Sequence, residues 1–270
     1  PLLVFDANGD GRPDLLQTKA GTSRPFGPDY QPRLHLGTAT GFTPGPLPAI
    51  PQSTGAAVAA DYDRDGDLDV FLGARVQPGK YPLSPTSVLL RNDAGVFTSV
   101  PLPRNGELGP VTSALFSDLD GDGWADLILT TEWGPVVYLH NDQGRGFTER
   151  SAAQGFTTTG LWSSVVSADF NHDGKPDYAV GNLGLNTPYL TGPVILFHGR
   201  FGDGGPPLLL EALQENNQLY PRRSRNELGA RISGLLRRFP RHNDYARATL
   251  PEIDRKSTRL NSSYATLSRM

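Results

Sequence analysis

The 270-residue sequence predicts an all-β chain, a fragment of a β-propeller with about four four-stranded blades and a short C-terminal helical segment. Three observations carry that expectation. The 31 glycines and 24 prolines are too many for long helices, whose interiors both residues break, and suit short strands joined by turns. A nine-residue acidic pattern recurs four times, starting at residues 6, 61, 118 and 169. A second pattern, a strand and a polar glycine turn closing on Phe-Thr, follows the first three copies at residues 34–43, 89–98 and 138–148. Repeats of 40 to 60 residues with four strands each are the sequence form of propeller blades.

The acidic copies read DANGDGRPD, DYDRDGDLD, DLDGDGWAD and DFNHDGKPD, that is D-x-[DN]-x-D-G-x-x-D. Positions 1, 3, 5 and 9 are the candidate metal ligands. In the first copy they are Asp6, Asn8, Asp10 and Asp14, and in the second Asp61, Asp63, Asp65 and Asp69. The third supplies Asp118, Asp120, Asp122 and Asp126, and the fourth Asp169, Asn171, Asp173 and Asp177. Oxygen donors at this spacing, with a backbone carbonyl at position 7, suit a hard cation that takes six to eight oxygens. Glycine at position 6 permits the sharp turn that folds the ligands inward. Like-charged pairs near 4 Å would otherwise repel by about 4 kcal/mol at an effective dielectric of 20. Calcium fits better than magnesium, so up to four Ca2+ ions are expected. An EF-hand needs a bidentate glutamate at position 12 between helices; here Gln17, Leu72, Leu129 and Val180 stand there, between strands.

Each unit should therefore run strand, calcium loop, strand, hairpin. The boundaries read 1–56, 57–110, 111–161 and 162–220, the last including a degenerate fifth repeat. In that repeat, residues 200–208, positions 1, 3, 5 and 9 are Arg200, Gly202, Gly204 and Leu208, so no metal is expected. Residues 221–253 form a basic helical segment. Ser224 and Glu227 read as a capping box, and Leu228, Ile232, Leu235 and Phe239 recur at helical spacing until Pro240. A second short helix is expected near Asn243. The arginines of this segment come without an aromatic platform or reading motif, so a solvated helix face is expected, not nucleic-acid binding.

These residues resemble the FG-GAP/VCBS repeat family, which includes the integrin alpha-subunit propeller, over 1–253. The segments 73–82, 131–135, 181–186 and 245–249 are similar to bacterial VCBS-repeat proteins of the ASPIC/UnbV-associated type. The resemblance implies seven blades in the complete ring, structural calcium, and an extracellular, periplasmic or cell-surface location. It implies a protein or glycan partner, with the remaining blades supplied elsewhere in the parent, and no established catalysis. Residues 254–270 resemble the in-frame translation of a sequencing adapter and are expected to be foreign. With Met270 the sole methionine and a strand-like start at Pro1, the chain is expected to be internal to a longer protein.

Other functions are constrained by composition. The absence of cysteine excludes disulfides, thiol catalysis and cysteine-ligated zinc, and no apolar run reaches 18 residues. The net charge of −3 is an average: 15 of the 19 aspartates in residues 1–210 lie in the four loops. A polysaccharide-processing enzyme is the competing expectation, and a purely structural scaffold without a ligand is the third. The enzyme would need a histidine or two convergent carboxylates outside the loops, from Asp29, Asp93, Glu107, Glu132, Asp142, Glu149 and Asp203. Trp124 at loop position 7 is expected to pack or to face a ligand, Trp133 and Trp162 to fill space between blades, and the five histidines to lie at the surface.

Overall fold

A computed structural model of the chain describes residues 1–21, 28–78, 80–183, 194–201, 207–254 and 264–267. The chain forms two compact units, Pro1–Leu183 and Gly184–Met270.

The first unit is a stack of antiparallel sheets. β1 (Leu2–Phe5), β2 (Asp14–Gln17), β3 (Arg33–Thr38) and β4 (Gly41–Gly45) pair in chain order. So do β5 (Thr54–Ala60), β6 (Asp69–Ala74), β7 (Val88–Asp93) and β8 (Val96–Val100). The third sheet contains β9 (Val111–Ser117), β10 (Asp126–Gly134), β11 (Val137–Asn141) and β12 (Phe147–Glu149), and β13 (Gly160–Leu161) also pairs with β10. β14 (Ser164–Ala168) and β15 (Asp177–Gly181) form the fourth. The unit of strand, loop, strand and hairpin is thus present three times in full.

Alternation of side chains across each strand explains the stacking. In β6, Val70 and Leu72 enter one core with Phe5, Leu16 and Leu34 of the first sheet. Phe71 between them enters another with Leu127 and Leu129 of the third. β6 is buried along its whole length, as a strand between two neighbouring sheets must be. Ile128, Tyr138, Trp162 and Val165 continue the pattern between the third and fourth sheets.

The second unit pairs β16 (Val194–Gly199) with β17 (Leu208–Glu215), and β17 with β18 (Gln218–Pro221). Four short helices follow: α1 (Arg225–Gly229), α2 (Leu235–Arg238), α3 (His242–Ala246) and α4 (Leu250–Ile253). Leu228, Ile232, Leu235 and Leu250 pack with Phe197 and Leu210 of the sheet. Both reciprocal bonds of the Ser224–Glu227 capping box form. The single helical run expected up to Pro240 is corrected: α1 ends at Gly229, and α2 restarts after Gly234, whose φ of 78° lies in the left-handed region. The periodic apolar residues still share one core, because two short helices keep them on the same side.

Of the stretch expected to be foreign, Tyr264–Leu267 forms β19, paired antiparallel with β16, and Asp254 follows α4. Gly202, Asp203 and Gly204 of the degenerate loop lie outside the described residues, as do Gly79 and residues 184–186 of the segments that carried the bacterial resemblance.

Candidate metal centre

All four acidic loops share one local design. The residue at position 9 opens the second strand of its pair, and the register closes as Phe5↔Asp14, Ala60↔Asp69, Ser117↔Asp126 and Ala168↔Asp177. The position 1 carboxylates, Asp6, Asp61, Asp118 and Asp169, accept the position 6 glycine N–H at 2.7, 3.1, 2.8 and 2.9 Å. The position 5 carboxylates, Asp10, Asp65, Asp122 and Asp173, accept the N–H of position 7 at 2.9, 3.0, 2.9 and 2.8 Å. Each loop turns through two left-handed residues. At position 6 these are all glycine; at position 4 they are Gly9, Arg64, Gly121 and His172.

Position 9 has a second task. Asp14, Asp69, Asp126 and Asp177 each accept the N–H of position 2, from Ala7, Tyr62, Leu119 and Phe170. In the first three sheets the other oxygen accepts an N–H from the following hairpin, of Gly37, Asn92 and Asn141 respectively. Asp14, Asp69 and Asp126 are fully buried. Such a carboxylate ties three strands together and offers its remaining lone pairs to the loop.

Charge accumulates most in the second and third loops. Asp61, Asp63 and Asp69 each place an oxygen within 4.8 Å of the others, and so do Asp118, Asp120 and Asp122. Burial pushes the Asp69 carboxyl up to about 7; the N–H groups of Asn92 and Tyr62 oppose the shift, while Asp63 and Asp65 add to it. Asp63 is raised by burial and by Asp65, and Asp126 by burial against the opposing N–H bonds of Asn141 and Leu119. In the first and fourth loops asparagine replaces one carboxylate. Asn8 and Asn171 donate from Nδ2 to Asp10 and Asp173 at 3.4 and 3.2 Å, and Arg12 pairs with Asp10 at 3.1 Å. The donor set, oxygens of clustered carboxylates with little internal neutralisation, fits a hard divalent cation.

One residue beside the third loop was not anticipated. His140, expected at the surface, is buried, with Nδ1 2.9 Å from Asp120 Oδ2 and 3.4 Å from Asp126 Oδ1. Tyr138 donates its hydroxyl to Asp126 at 3.1 Å. Aligning the three hairpins would have revealed the position, because His140 takes the place of Leu36 and Arg91 beside the earlier loops. His172 is exposed, as expected. Trp133 and Trp162 are buried, whereas Trp124 lies beneath the Arg64 guanidinium, 4.2 Å from its carbon to the ring centre. Of the carboxylates considered for catalysis, Glu132 pairs with Arg75 at 2.5 Å and accepts the Tyr81 hydroxyl, and Glu149 pairs with Arg104. Asp142 accepts the Thr148 hydroxyl at 2.6 Å, and Asp203 lies outside the described residues.

Three arginines of the helical segment also have structural partners. Arg225 donates to the carbonyls of Phe239 and Pro240, Arg238 to those of Glu252 and Ile253, and Arg222 pairs with Glu211.

A family model described as an FG-GAP-like repeat matches residues 6–72 and 118–180. The chain carries FG-GAP-like repeats over those residues. The two matched stretches begin at the first and third loops, and each runs into the strand beyond the loop that follows. Mouse integrin alpha-7 is 32% identical over 128 residues, covering 42% of this chain and 10% of that protein. The chain therefore spans about a tenth of the length of this relative. No helix among the described residues is long and apolar enough to cross a membrane.

Proposed function

We propose that the FG-GAP repeats bind up to four structural calcium ions, one per acidic loop, and that the chain is a non-catalytic binding module of an extracellular or cell-surface protein. The observation that carries this reading is the repeated wiring of the loops. Position 1 accepts two or three backbone N–H groups of its own loop and position 5 accepts one, and position 9 bonds to the backbone that flanks it. What remains is a concentration of carboxylate charge with few cations beside it. A calcium ion would neutralise that charge and crosslink the two strands entering each loop. The partner is a protein or a glycan, and the arginine pairing of Glu132 and Glu149 disfavours these carboxylates as a catalytic pair.

Calorimetric titration of chelator-treated protein with CaCl2 tests the metal. Binding of up to four ions is expected, with dissociation constants of about 10⁻⁴ to 10⁻³ M. No binding heat, together with an unchanged melting curve in chelator, would overturn it. Screening the calcium-loaded protein against glycan and protein arrays tests the binding role; hydrolysis or cleavage of an arrayed glycan would favour the enzyme.

A further inference from the structure

We infer that the second and third acidic loops bind their cations cooperatively, coupled through Asn141 and Arg64. The inference rests on the calcium reading above and adds a regulation to it. Asn141 is fully buried at the end of β11, and its side-chain amide gives one N–H to each of two loops. Nδ2 donates to the Tyr62 carbonyl, between ligand positions 1 and 3 of the second loop, at 2.9 Å. It also donates to the Ala125 carbonyl, beside the closing ligand of the third loop, at 2.9 Å. Its own backbone N–H donates to that ligand, Asp126, at 2.8 Å. One residue thus holds the backbone of one loop and a candidate ligand of the next.

A second thread runs parallel. Arg64, at position 4 of the second loop, donates to the Gly123 carbonyl of the third and lies over the Trp124 ring. The carbonyls on both sides of position 7 in the third loop are therefore held from outside that loop. A cation that orders residues 61–65 fixes both anchors, so the third loop is already arranged for its ion, and the coupling is positive and reciprocal. The amide bridge recurs one sheet earlier, where Asn92 Nδ2 donates to the Ala7 carbonyl of the first loop and the Leu68 carbonyl of the second, at 2.9 and 3.1 Å. Gly9 stands at the Arg64 position there, so the first and second loops share one thread where the second and third share two. Gly37 occupies the Asn141 position in the first sheet and keeps only the backbone bond to Asp14, at 2.6 Å.

The test follows from those glycines. Trp124 sits in the third loop, so terbium luminescence excited through tryptophan and displaced by Ca2+ reads that loop, with Trp124→Phe as the control for assignment. Asp65→Ala disables the second loop at an exposed ligand. It is expected to weaken Ca2+ binding in the third loop by about fivefold or more, the lower range of couplings between sites. In the Arg64→Gly/Asn141→Gly background the same change should leave third-loop affinity within about twofold. Arg64→Gly alone, a surface change, should give an intermediate coupling and keeps the test usable if the double variant fails to fold. Equal third-loop affinity with and without Asp65, or a weakening that persists undiminished in the glycine variants, would overturn the coupling. Absence of terbium and calcium binding in the unaltered chain would instead overturn the calcium reading on which it rests.

Discussion

The two units differ in how they close antiparallel sheets. In Pro1–Leu183 four pairs of strands are joined by acidic loops whose turn N–H groups are bonded by aspartates of the loop itself, alongside short turns such as Ala94–Gly95. In the second unit β17 and β18 join through a two-residue turn of Asn216 and Asn217, both left-handed, with no carboxylate in it. Its sheet is covered by short helices whose leucines and isoleucines supply the core. Residues 1–183 carry a net charge of −9, while residues 207–254 carry +2. The first unit thus holds a store of unneutralised charge that an ion would relieve, and the second has no comparable need. Stability in one should depend on the solution's cations, and in the other on packing alone.

The largest effect that sharpens this contrast is at position 9. Replacing Asp69 by alanine strands the N–H groups of Tyr62 and Asn92 in a buried site, besides removing a ligand. A loss of about 2 to 6 kcal/mol is expected even in chelator, at roughly 1 to 3 kcal/mol per unsatisfied buried donor. Denaturant unfolding in chelator checks it, and a variant as stable as the parent there would mean that the position 9 bonds contribute nothing without an ion. Ile232→Ala in the second unit should cost about 2 to 5 kcal/mol through its cavity, by the same amount with calcium as with chelator. A calcium-dependent difference would break the division between the units. Asp65→Ala, at an exposed position, should change stability in chelator by less than about 0.5 kcal/mol and remove about one loop's share of the calcium stabilisation.

Much of this was legible beforehand, and the reason is local chemistry. The D-x-[DN]-x-D-G-x-x-D pattern sets where the chain reverses, and strands on either side follow because position 9 must re-enter the sheet. The Ser224–Glu227 box was equally readable, since its bonds span three residues. What was hidden depends on register between distant segments. His140 reaches Asp120 only because β11 pairs with β10 in one alignment, Leu127↔Leu139. Asn141 reaches Tyr62 across 79 positions of sequence, between different sheets. The break at Gly234 was concealed for another reason: the apolar period survives it, so periodicity alone reads one helix where two stand.

Smaller effects belong to the helical caps. The Glu227 and Glu252 carboxyls are held below their ordinary value of 4.5, Glu227 by the Ser224 hydroxyl and backbone N–H, Glu252 by the Thr249 backbone N–H and hydroxyl. A lowered folded-state value means that the stabilisation is present above pH 4.5 and is lost as the pH falls through the lower folded-state values. Helical circular dichroism should therefore decline in that acid range, and Ser224→Ala should cost about 1 kcal/mol and blunt the Glu227 part of the decline. A pH-independent helical signal down to pH 2 would contradict the role given to the caps.

Hydrogen exchange read by mass spectrometry, with CaCl2 against chelator, tests the central claim most directly. The account predicts that calcium slows exchange in peptides covering residues 6–14, 61–69, 118–126 and 169–177, and in the hairpin around Asn141, while residues 208–254 exchange at the same rate in both solutions. Equal slowing in the two units, or none in any of the four loops, would contradict it.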